Sequence, residues 1–482
     1  MGKKKREITI TPIGFSSQGV TGSCNICEYK DTMFAIEMGG IQEGHTVLSN
    51  YNMNKQMLSN IKFKNLGYIF VCHLHYDHIG MIPAAYSKGS NARLIVPKGS
   101  TSILREMWMD SVHIMERDCE SLMKKSDKTY YPFYTEEDVI TALACIEEYP
   151  SNEIIQLTDE LSFRYSPAGH IMLSQQLELF ITLANHTSKI LVTSDLGNLV
   201  TEDKRIFVEN LKRVEKANIV LGESTYGLRS KRNKKKDLEK DLEKIKSVIQ
   251  QFCVDNNNRV LIPTFSLDKT AVMLWYLYQM FGQDESFKVP ILVDSPLAIR
   301  LLGCYSSILK DFDDERFDKF EEMMSWKNIK LINEYQDSAA AMVDKSSKVI
   351  ISSGGMLQSG RSVIWAQHII PRSNDCILFA GYCGESTLGW KIKHAKEQKT
   401  ITINNKVVSN RCQVVELLSF SSHMQHDDLV NYYKGIVADK IYLLHGDEKA
   451  RTELKEDLQE ALSKMCKSTK VSIVNKSTVI RI

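Results

Sequence analysis

The stretch YIFVCHLHYDHIG, residues 68–80, contains four side chains that bind metals well, all within six consecutive positions. An apolar run ends there, and the chain continues with His73, His75, Asp77 and His78. Residues two apart in an extended chain project to one side, so His73 and His75 form one pair. Asp77 and His78 follow in a predicted turn into a helix, and burying such neighbours without a partner would carry a large desolvation cost. Two ligand pairs exceed the need of one ion, so the stretch predicts a binuclear metal site.

Three further candidate ligands stand where apolar, strand-like runs end. His170 lies in SPAGHI, Asp195 ends KILVTSD, and His445 ends KIYLLHG. A single histidine at a strand end is more often a hydrogen-bonded structural residue, so each position is ambiguous alone. A carboxylate at Asp195 could bridge two cations, and the combined set offers mixed nitrogen and oxygen ligands. Such a set favours zinc first and manganese second.

These ligands require strands that end side by side, and the sequence predicts such strands. Short, β-branched apolar runs without alternation indicate strands covered on both faces. They are KILVTSDLGN (189–198), NIVLGESTYG (218–227), RVLIPTFS (259–266), PILVDSPLA (290–298), KVIISSGGM (348–356), CILFAGYCG (376–384) and KIYLLHGDE (440–448). Helix-length amphipathic segments separate them, such as residues 266–281 with Ser266 as the predicted cap. The alternation predicts an α/β fold whose strand ends line a ligand crevice.

Composition narrows the class of protein. A chain of 482 residues predicts two or three domains. Lys and Arg number 61 against 59 Asp and Glu, which excludes a globally basic nucleic-acid binder but allows a local basic groove. No run of about 20 apolar residues occurs, so no membrane span is predicted. Eleven cysteines without disulfide-like spacing indicate a reducing cytoplasm.

The one marked charge run, RSKRNKKK at 229–236, is either a phosphate-contacting patch or a solvated loop that leads into a helix.

The ordered motifs resemble the β-CASP branch of the metallo-β-lactamase-fold family, which acts on nucleic acids. The likeness runs from about residue 8 to 450 through HLHYDH, SPAGHI, SDLG, GESTYG, LIPTFSLDKTAVML, VDSPLA, SSGGMLQSGR, AGYCGESTLG, SFSSH and LLHGDE. It is nearest to compact bacterial and archaeal ribonucleases of this branch and to the catalytic core of the eukaryotic pre-mRNA 3′-end endonuclease. The resemblance implies a metallo-β-lactamase αββα sandwich with an inserted α/β β-CASP domain. The implied boundaries are 1–227 and 413–482 for the sandwich and 228–412 for the insert.

The resemblance also implies a role for each candidate ligand. One zinc ion would be held by His73, His75 and His170, the other by Asp77, His78 and His445, with Asp195 as the bridge. A metal-bound hydroxide would attack phosphorus, and Asp77 counts among the catalytic residues as well as the ligands. The departing sugar oxygen needs a proton, for which His423 in SFSSH would be the general acid, held by Glu223.

Glycine-rich strand ends would contact the substrate, because exposed backbone amides suit anionic oxygens. The implied residues are Ser353, Gly354, Gly355, Met356, Gly381 and Tyr382, the last by stacking or hydrogen bonding. His445 points to RNA. In this branch a histidine at that site goes with RNA-cleaving members, whereas the DNA-repair members have valine.

Glu37 departs from the pattern of the family, and His426 has two interpretations. Glu37 in AIEMGG stands where relatives have an aspartate that supports the metal site, which leaves the support geometry open. His426 follows in SFSSHMQHDD and is a candidate for an extra acid–base group, although a surface position on a helix is the prediction.

The sequence therefore predicts a cytoplasmic, zinc-dependent ribonuclease that cleaves single-stranded RNA endonucleolytically in RNA processing or decay. Two Zn²⁺ are the predicted cofactors, with Mn²⁺ as the alternative, and a homodimer is one candidate assembly. The short tail after His445 favours a minimal catalytic unit. The alternatives are a DNA nuclease, an ester, lactone or β-lactam hydrolase on the same fold, and a catalytically silent RNA-binding subunit. The long insert and the Glu223–His423 pair disfavour the ester class, and the intact ligand set disfavours the silent subunit.

Overall fold

The computed structural model describes residues 8–44, 46–183, 186–197, 206–231, 238–381, 383–384, 387–395, 399–404 and 406–482. Tyr382 and most of the charge run at 229–236 lie outside the described residues. The chain forms two compact units. The first comprises Met1–Lys204, Val208–Lys234 and Ser422–Ile482, and the second comprises Arg205–Phe207 and Lys235–Ser421. The boundaries implied by the resemblance, after residues 227 and 412, stay predictions.

Two seven-stranded sheets make up the middle of the first unit within the described ranges. The first sheet has the spatial order β22 (Ile480–Arg481), β1 (Ile8–Pro12), β2 (Asn25–Tyr29), β3 (Thr32–Ile36), β4 (Leu66–Phe70), β5 (Arg93–Pro97) and β6 (Ile146–Tyr149). The second has the order β21 (Lys470–Ile473), β20 (Lys440–Leu444), β11 (Ile219–Glu223), β10 (His186–Val192), β9 (Gln175–Leu183), β8 (Leu161–Pro167) and β7 (Ile155–Gln156).

Strand direction brings several chain segments to the same edge of each sheet. In the first sheet β3, β4, β5 and β6 run parallel. In the second, β10, β11 and β20 run parallel, and β8 shares their direction because β9 is antiparallel to both β8 and β10. Segments that follow these strands therefore start at one edge, which is where ligand sites form in sheets of this kind.

An apolar core joins the inner faces of the two sheets. Phe34 and Phe70 from the first sheet and Phe163 and Tyr165 from the second are fully buried in it. The ring of Phe70 packs edge-on against Phe34, with centroids 5.7 Å apart, and against Phe163 at 5.4 Å. Burial of each such side chain stabilises the fold by about 1.5–3 kcal/mol, so this aromatic layer holds the sheets face to face.

Helices cover the outer faces of the sheets. Those described in this unit are α1 (Val47–Ser59), α2 (Tyr76–Ile79), α3 (Pro83–Ser87), α4 (Ser100–Met123), α5 (Glu136–Ala144), α13 (His426–Gly435) and α14 (Glu448–Lys464). Helix α4 contacts β5 and β6, whereas α13 and α14 pack on the second sheet through Leu429, Tyr433 and Leu454. The layers are helix, sheet, sheet and helix, which confirms the predicted αββα sandwich.

A six-stranded parallel sheet organises the second unit, as far as it is described. Its spatial order is β14 (Ile329–Leu331), β13 (Ile291–Asp294), β15 (Lys348–Ser353), β12 (Arg259–Thr264), β16 (Cys376–Phe379) and β19 (Gln413–Glu416), and a separate hairpin joins β17 (Thr400–Ile403) to β18 (Lys406–Ser409). Its helices are α6 (Leu238–Ile249), α7 (Lys269–Phe281), α8 (Pro296–Phe312), α9 (Asp314–Met324), α10 (Tyr335–Val343), α11 (Arg361–Ile369) and α12 (Leu388–His394). The predicted inserted α/β domain is confirmed.

The apolar runs predicted as strands all form strands, and the central ones are buried along their whole length, as in β12, β13 and β16. The predicted cap of α7 is wrong. This helix starts at Lys269, with Asp268 as the N-cap residue at φ 64° instead of Ser266. The Lys269 amide donates to the Leu267 carbonyl at 2.8 Å, so a tight turn stands between Ser266 and the first helical residue. No helix in the described part of the chain is both long and apolar enough to cross a membrane.

Candidate metal and active site

Three imidazoles converge at one point of the first unit. His73 and His75 follow β4, and His170 follows β8. The ring centroids of His73 lie 4.3 Å from His75 and 4.8 Å from His170. Nε2 of His73 and Nδ1 of His75 are 2.6 Å apart, a separation at which two nitrogen lone pairs need a shared proton or cation. Together with Asp195, these three residues could hold one metal ion.

A second group of side chains lies beside the first. Asp77 and His78 stand on the short helix α2, which confirms the predicted turn into a helix, and His445 follows β20. The His445 Nε2 is 3.6 Å from Asp77 Oδ2, and His78 Nε2 is 3.6 Å from the same oxygen. These three residues could hold another ion.

The Asp195 carboxylate lies between the two groups. Its Oδ2 is 3.8 Å from Nε2 of both His73 and His170, on the side of the first group. The same oxygen is 3.4 Å from His78 Nε2, and Oδ1 is 3.3 Å from His445 Nδ1, on the side of the second. A carboxylate in this position can contact two cations with its two oxygens.

Burial and charge set different protonation states in the two groups. Burial lowers the pKa of His73 and His170 well below the ordinary value, and neighbouring imidazoles lower it further, which favours the neutral, metal-binding form. Burial alone would also lower the pKa of His445, but the Asp195 and Asp77 carboxylates outweigh it and raise that pKa to about 9. The pKa of His78 is raised as well, because Glu37, Asp195 and Asp77 outweigh burial. In the second group, protons on His78 and His445 therefore balance the charge of the carboxylates. A bound metal cation would balance that charge in their place.

The donor set fits bound metal. Within the described residues, Asp195 Oδ1 and the Nε2 atoms of His78 and His445 are buried without a hydrogen-bond partner. Such atoms are costly in a fold unless something binds them. Six imidazole or carboxylate side chains on strand ends and on α2, together with the carboxylate of Asp195 between them, make a chemically suitable donor set for zinc.

The position of Glu37 shows how this residue supports the candidate metal site, which the sequence left open. Its buried carboxylate follows β3 and lies 2.8 Å from Nδ1 of His78. It also accepts hydrogen bonds from the Ser23 hydroxyl at 2.5 Å and the Ser194 hydroxyl at 2.6 Å. Glu37 therefore fixes the ring of His78 from the side away from Asp195, and Ser194 links it to the loop that carries Asp195.

The backbone at the site is strained at three positions. Glu37, Ser194 and His445 have φ values of 62°, 48° and 53°, in the left-handed region that side chains with a Cβ disfavour. Such conformations cost of order 1–3 kcal/mol each and persist when the surrounding fold imposes them. All three residues lie directly or within two positions after a strand, namely β3, β10 and β20.

His423 and Glu223 lie at the rim of the metal-binding groups. Nδ1 of His423 is 3.3 Å from Oε1 of Glu223, and that oxygen also accepts a hydrogen bond from the Leu196 amide at 2.7 Å. The His423 ring centroid is 4.4 Å from that of His170, and its Nε2 is 4.0 Å from Asp195 Oδ2. The side chain of His423 is 21% exposed, whereas that of Glu223 is 1% exposed. The carboxylate orients the ring from inside, and Nε2 faces the metal groups from the accessible side.

Sequence patterns missed Thr225, which follows Glu223 closely, and predicted the position of His426 wrongly. The Thr225 hydroxyl lies 3.1 Å from Nδ1 of His445, and no sequence signal beyond its place in GESTYG marks it. The prediction that His426 has a surface position is wrong, because its side chain is fully buried. The signal was present: His426, Leu429 and Tyr433 follow the i, i+3, i+7 spacing of a buried helix face, and all three are buried in α13.

The predicted substrate-binding residues belong to the second unit. Ser353 ends β15 and its hydroxyl is 2.6 Å from that of Ser295, while Gly354 to Met356 form the turn that follows. The carbonyl of Gly354 accepts from the Ser362 hydroxyl at 3.0 Å, and that of Met356 accepts from the Gly389 amide at 3.0 Å. Gly381 follows β16, where an added Cβ would meet nothing within 4 Å. These strand ends lie at the same edge of one parallel sheet, and their role in substrate binding stays a prediction.

Two family models match the second half of the chain. A Beta-Casp domain model matches residues 270–392. A model described as a Zn-dependent metallo-hydrolase RNA specificity domain matches residues 407–468, a range that includes His423 and His445.

Known proteins resemble the chain over most of its length. A ribonuclease of Thermus thermophilus, Ribonuclease TTHA0252, is 24% identical over 390 residues, which cover 80% of this chain and 82% of that protein. Cleavage and polyadenylation specificity factor 73 of Drosophila melanogaster is 25% identical over 94% of this chain and 62% of its own length. Transcription termination factor FttA of Methanocaldococcus jannaschii is 22% identical over 83% of this chain and 62% of its own. A crystal structure of a protein of unknown function from Enterococcus faecalis shares the fold, with a TM-score of 0.51, 13% identity and coverage of 99% and 100%.

Proposed function

Since the chain belongs to the β-CASP branch of the metallo-β-lactamase-fold hydrolases, we propose that it is a zinc-dependent ribonuclease. Its reaction is the endonucleolytic hydrolysis of phosphodiester bonds in single-stranded RNA, in RNA processing or decay. The observation that carries the proposal is the His423–Glu223 pair beside two groups of metal-binding side chains. The ribonuclease name of the Thermus relative and the RNA specificity model over residues 407–468 support RNA as the substrate.

Two Zn²⁺ ions are the proposed cofactors, with Mn²⁺ as the alternative. The first would be held by His73, His75 and His170, the second by Asp77, His78 and His445, with Asp195 between them. When bound, the ions would supply Lewis acidity that lowers the pKa of water and neutralises charge on the phosphate. The ligands contribute position, because they stand on strand ends and on α2 inside a close-packed sandwich.

Hydrolysis adds water across a P–O bond, and the departing sugar oxygen must receive a proton. His423 is the proposed donor of that proton through Nε2. Glu223 keeps Nδ1 occupied and holds the ring at the rim, with Nε2 on the side of Asp195. The leaving groups of esters and lactams also need a proton, so RNA is favoured as the substrate by the RNA specificity model over residues 407–468, a range that includes His423.

The proposed contacts to the RNA backbone are Ser353, Gly354, Gly355, Met356 and Gly381, with Tyr382 as the proposed stacking residue. The glycines expose backbone amides at the ends of parallel strands, where anionic oxygens are commonly bound. The eleven cysteines are all free thiols, which supports the cytoplasm as the proposed location.

A substrate panel tests the proposal. Purified, zinc-loaded protein is incubated with labelled single-stranded RNA, with DNA of the same sequence and with a chromogenic β-lactam, each with and without chelator. We expect chelator-sensitive cleavage of the RNA at internal positions and little turnover of the other two. Preferred cleavage of the DNA would make the protein a DNA nuclease, and lactam turnover without RNA cleavage would contradict the nuclease proposal altogether.

A further inference from the structure

The loop between β11 and α6 contacts both His423 and His445. In this loop, residues 224–227, the Thr225 hydroxyl lies 3.1 Å from Nδ1 of His445, and the Tyr226 ring centroid lies 5.8 Å from that of His423. The amide of Ser224 donates to the His445 carbonyl at 3.0 Å. The position of this loop therefore sets the surroundings of both histidines.

His426 holds the far end of that loop. Its Nδ1–H donates to the carbonyl of Gly227 at 2.7 Å, and its Nε2 lies 2.9 Å from Oδ2 of Asp457 on α14. The contact to Asp457 is close but is not aligned as a hydrogen bond. The His426 side chain is fully buried and reaches an acceptor on each side, which links α13, the loop and α14.

The remaining contacts leave the loop little freedom at this end. An added Cβ on Gly227 would lie 2.4 Å from the Ala450 carbonyl oxygen, so the loop packs directly on the backbone of α14. Arg229 follows two residues later, and its guanidinium contacts Asp457 at 3.0 Å and Glu456 at 2.6 Å. Asp457 thus contacts both Arg229, which follows the loop, and the ring of His426, which binds Gly227.

His426 and His423 are also close along the chain. Between them, the Met424 amide donates to the Leu196 carbonyl at 2.8 Å, in the same segment whose Leu196 amide binds Glu223. The segment that carries His423 therefore has hydrogen bonds at both ends. Glu223 and Leu196 bind it on one side, and His426 binds Gly227 on the other.

We propose that His426 is a positioning residue for the general acid. Through the Gly227 carbonyl it sets the loop 224–227, and thereby Tyr226, against the ring of His423. This inference rests on the proposed role of His423 in RNA cleavage. It assigns His426 neither a contact with RNA nor a proton in the reaction.

Paired variants of His426 separate its two contacts. An asparagine amide nitrogen lies where Nδ1 of histidine lies, so His426→Asn keeps the donor to Gly227 and loses the contact to Asp457. His426→Gln keeps a donor toward Asp457 and loses the one to Gly227, and His426→Ala loses both. Leu429→Ala is the matched control, because Leu429 is buried on the same helix and packs in the apolar cluster on the second sheet.

We expect His426→Ala and His426→Gln to lower kcat for RNA cleavage about ten- to a hundredfold, with KM and the bound zinc unchanged. His426→Asn should retain most of the kcat, and Leu429→Ala should lower thermal stability without a selective loss of kcat. Equal losses in the Asn and Ala variants, or a functional Gln variant beside an impaired Asn variant, would overturn the role of the Gly227 contact.

A double-mutant cycle shows whether His426 acts through His423. In a His423→Ala background, His426→Ala should cost less than about twofold more, because the group it positions is gone. A further loss as large as in the wild-type background would overturn the proposal in favour of a general structural role.

A measurement that needs no activity separates this inference from the proposed function. The imidazole NMR signals of His423 in zinc-loaded protein, assigned through their loss in His423→Ala, should shift in His426→Ala but not in His426→Asn or Leu429→Ala. Unshifted signals in His426→Ala would overturn the positioning role. Shifted signals in a protein that cleaves no RNA would keep the positioning role and refute the ribonuclease assignment.

Discussion

Glu37 shows how one buried carboxylate can organise a metal-binding group from behind. It contacts the ring of His78 at 2.8 Å and receives the hydroxyls of Ser23 and Ser194 from two other segments. Because Ser194 precedes Asp195, Glu37 connects the imidazole on α2 with the carboxylate between the two groups. Partners of this kind raise the basicity of a ligating imidazole and fix its orientation.

The variant Glu37→Gln keeps the shape of the side chain and removes the carboxylate. We expect zinc affinity of the group with His78 to fall about 10- to 100-fold, because the His78 ring loses its charged partner. Competition with a chromophoric chelator measures this affinity. The control is Glu147→Gln, which removes a carboxylate from a partly exposed ion pair with Arg93 in the same sheet. Wild-type affinity in Glu37→Gln would contradict this role of Glu37.

Zinc binding should release protons near neutral pH. The metal-free protein holds His445 with a pKa of about 9, so the ring is protonated at pH 7, whereas a ligand must be neutral. Zinc must therefore displace that proton, and its affinity should rise with pH until the pH passes about 9. Calorimetry at pH 7 in buffers of different ionisation enthalpy measures the released protons. A binding enthalpy independent of the buffer would be the opposite result.

At the scale of elements, glycines allow the strand ends to approach each other closely. An added Cβ on Gly39 would lie 1.5 Å from the Asp77 carbonyl oxygen, and one on Gly197 would lie 1.6 Å from the Gly169 carbonyl oxygen. The first contact sets β3 against α2, and the second sets the Asp195 loop against the His170 loop. Only glycine permits backbone contacts this close.

The variant Gly39→Ala should therefore push α2 away from β3. We expect a loss of about 1–3 kcal/mol in the free energy of unfolding and a loss of zinc from the group that contains Asp77. Gly303→Ala is the matched control: Gly303 is exposed in the middle of α8 with open space at its Cβ, so alanine should stabilise by about 0.5–1 kcal/mol. Denaturant titration and zinc stoichiometry measure both effects. Two tightly bound zinc ions in Gly39→Ala would show that the close contact is dispensable.

The sequence predicts elements and ligands best where a pattern is local. His73, His75, Asp77 and His78 lie in one strand–helix junction, and the buried strands appear as continuous apolar runs. The start of α7 was predicted wrongly, because a turn at Asp268 with φ 64° depends on tertiary contacts that no local pattern records.

Long-range pairings were also beyond a single sequence. Glu37 binds Ser194 across 157 positions, and His426 binds Gly227 across 199 positions, so neither pairing has a spacing signal. The buried place of His426 could have been predicted from its helical spacing with Leu429 and Tyr433. In the sequence, His426 is instead a candidate for an extra acid–base group, with a predicted surface position on a helix.

For the whole molecule, the candidate metal-binding groups, Glu223 and His423 all belong to the first unit. The second unit supplies the strand ends that carry the proposed substrate contacts. Zinc bound to a folded unit stabilises that unit by linkage, because the unfolded chain offers no preformed site.

Removal of zinc by a chelator should therefore destabilise the first unit and leave the second almost unchanged. We expect a chelator to speed hydrogen exchange of the amides in β4, β10, β11 and β20, with little change in β12, β13 and β15 of the second unit. Hydrogen exchange followed by mass spectrometry measures both sets in one sample. Equal acceleration in the two units would contradict the assignment of all the zinc ligands to the first.

We propose that two zinc ions and His423 act together in the cleavage of RNA. The most direct measurement is a zinc titration of metal-free wild-type and His423→Ala protein, with the rate of single-stranded RNA cleavage recorded at each point. We expect wild-type activity to rise until about two zinc ions are bound. We expect His423→Ala to bind the same zinc and to cleave about 10²- to 10⁴-fold more slowly. Cleavage without zinc, or an undiminished rate in His423→Ala, would refute the proposed roles of zinc and His423.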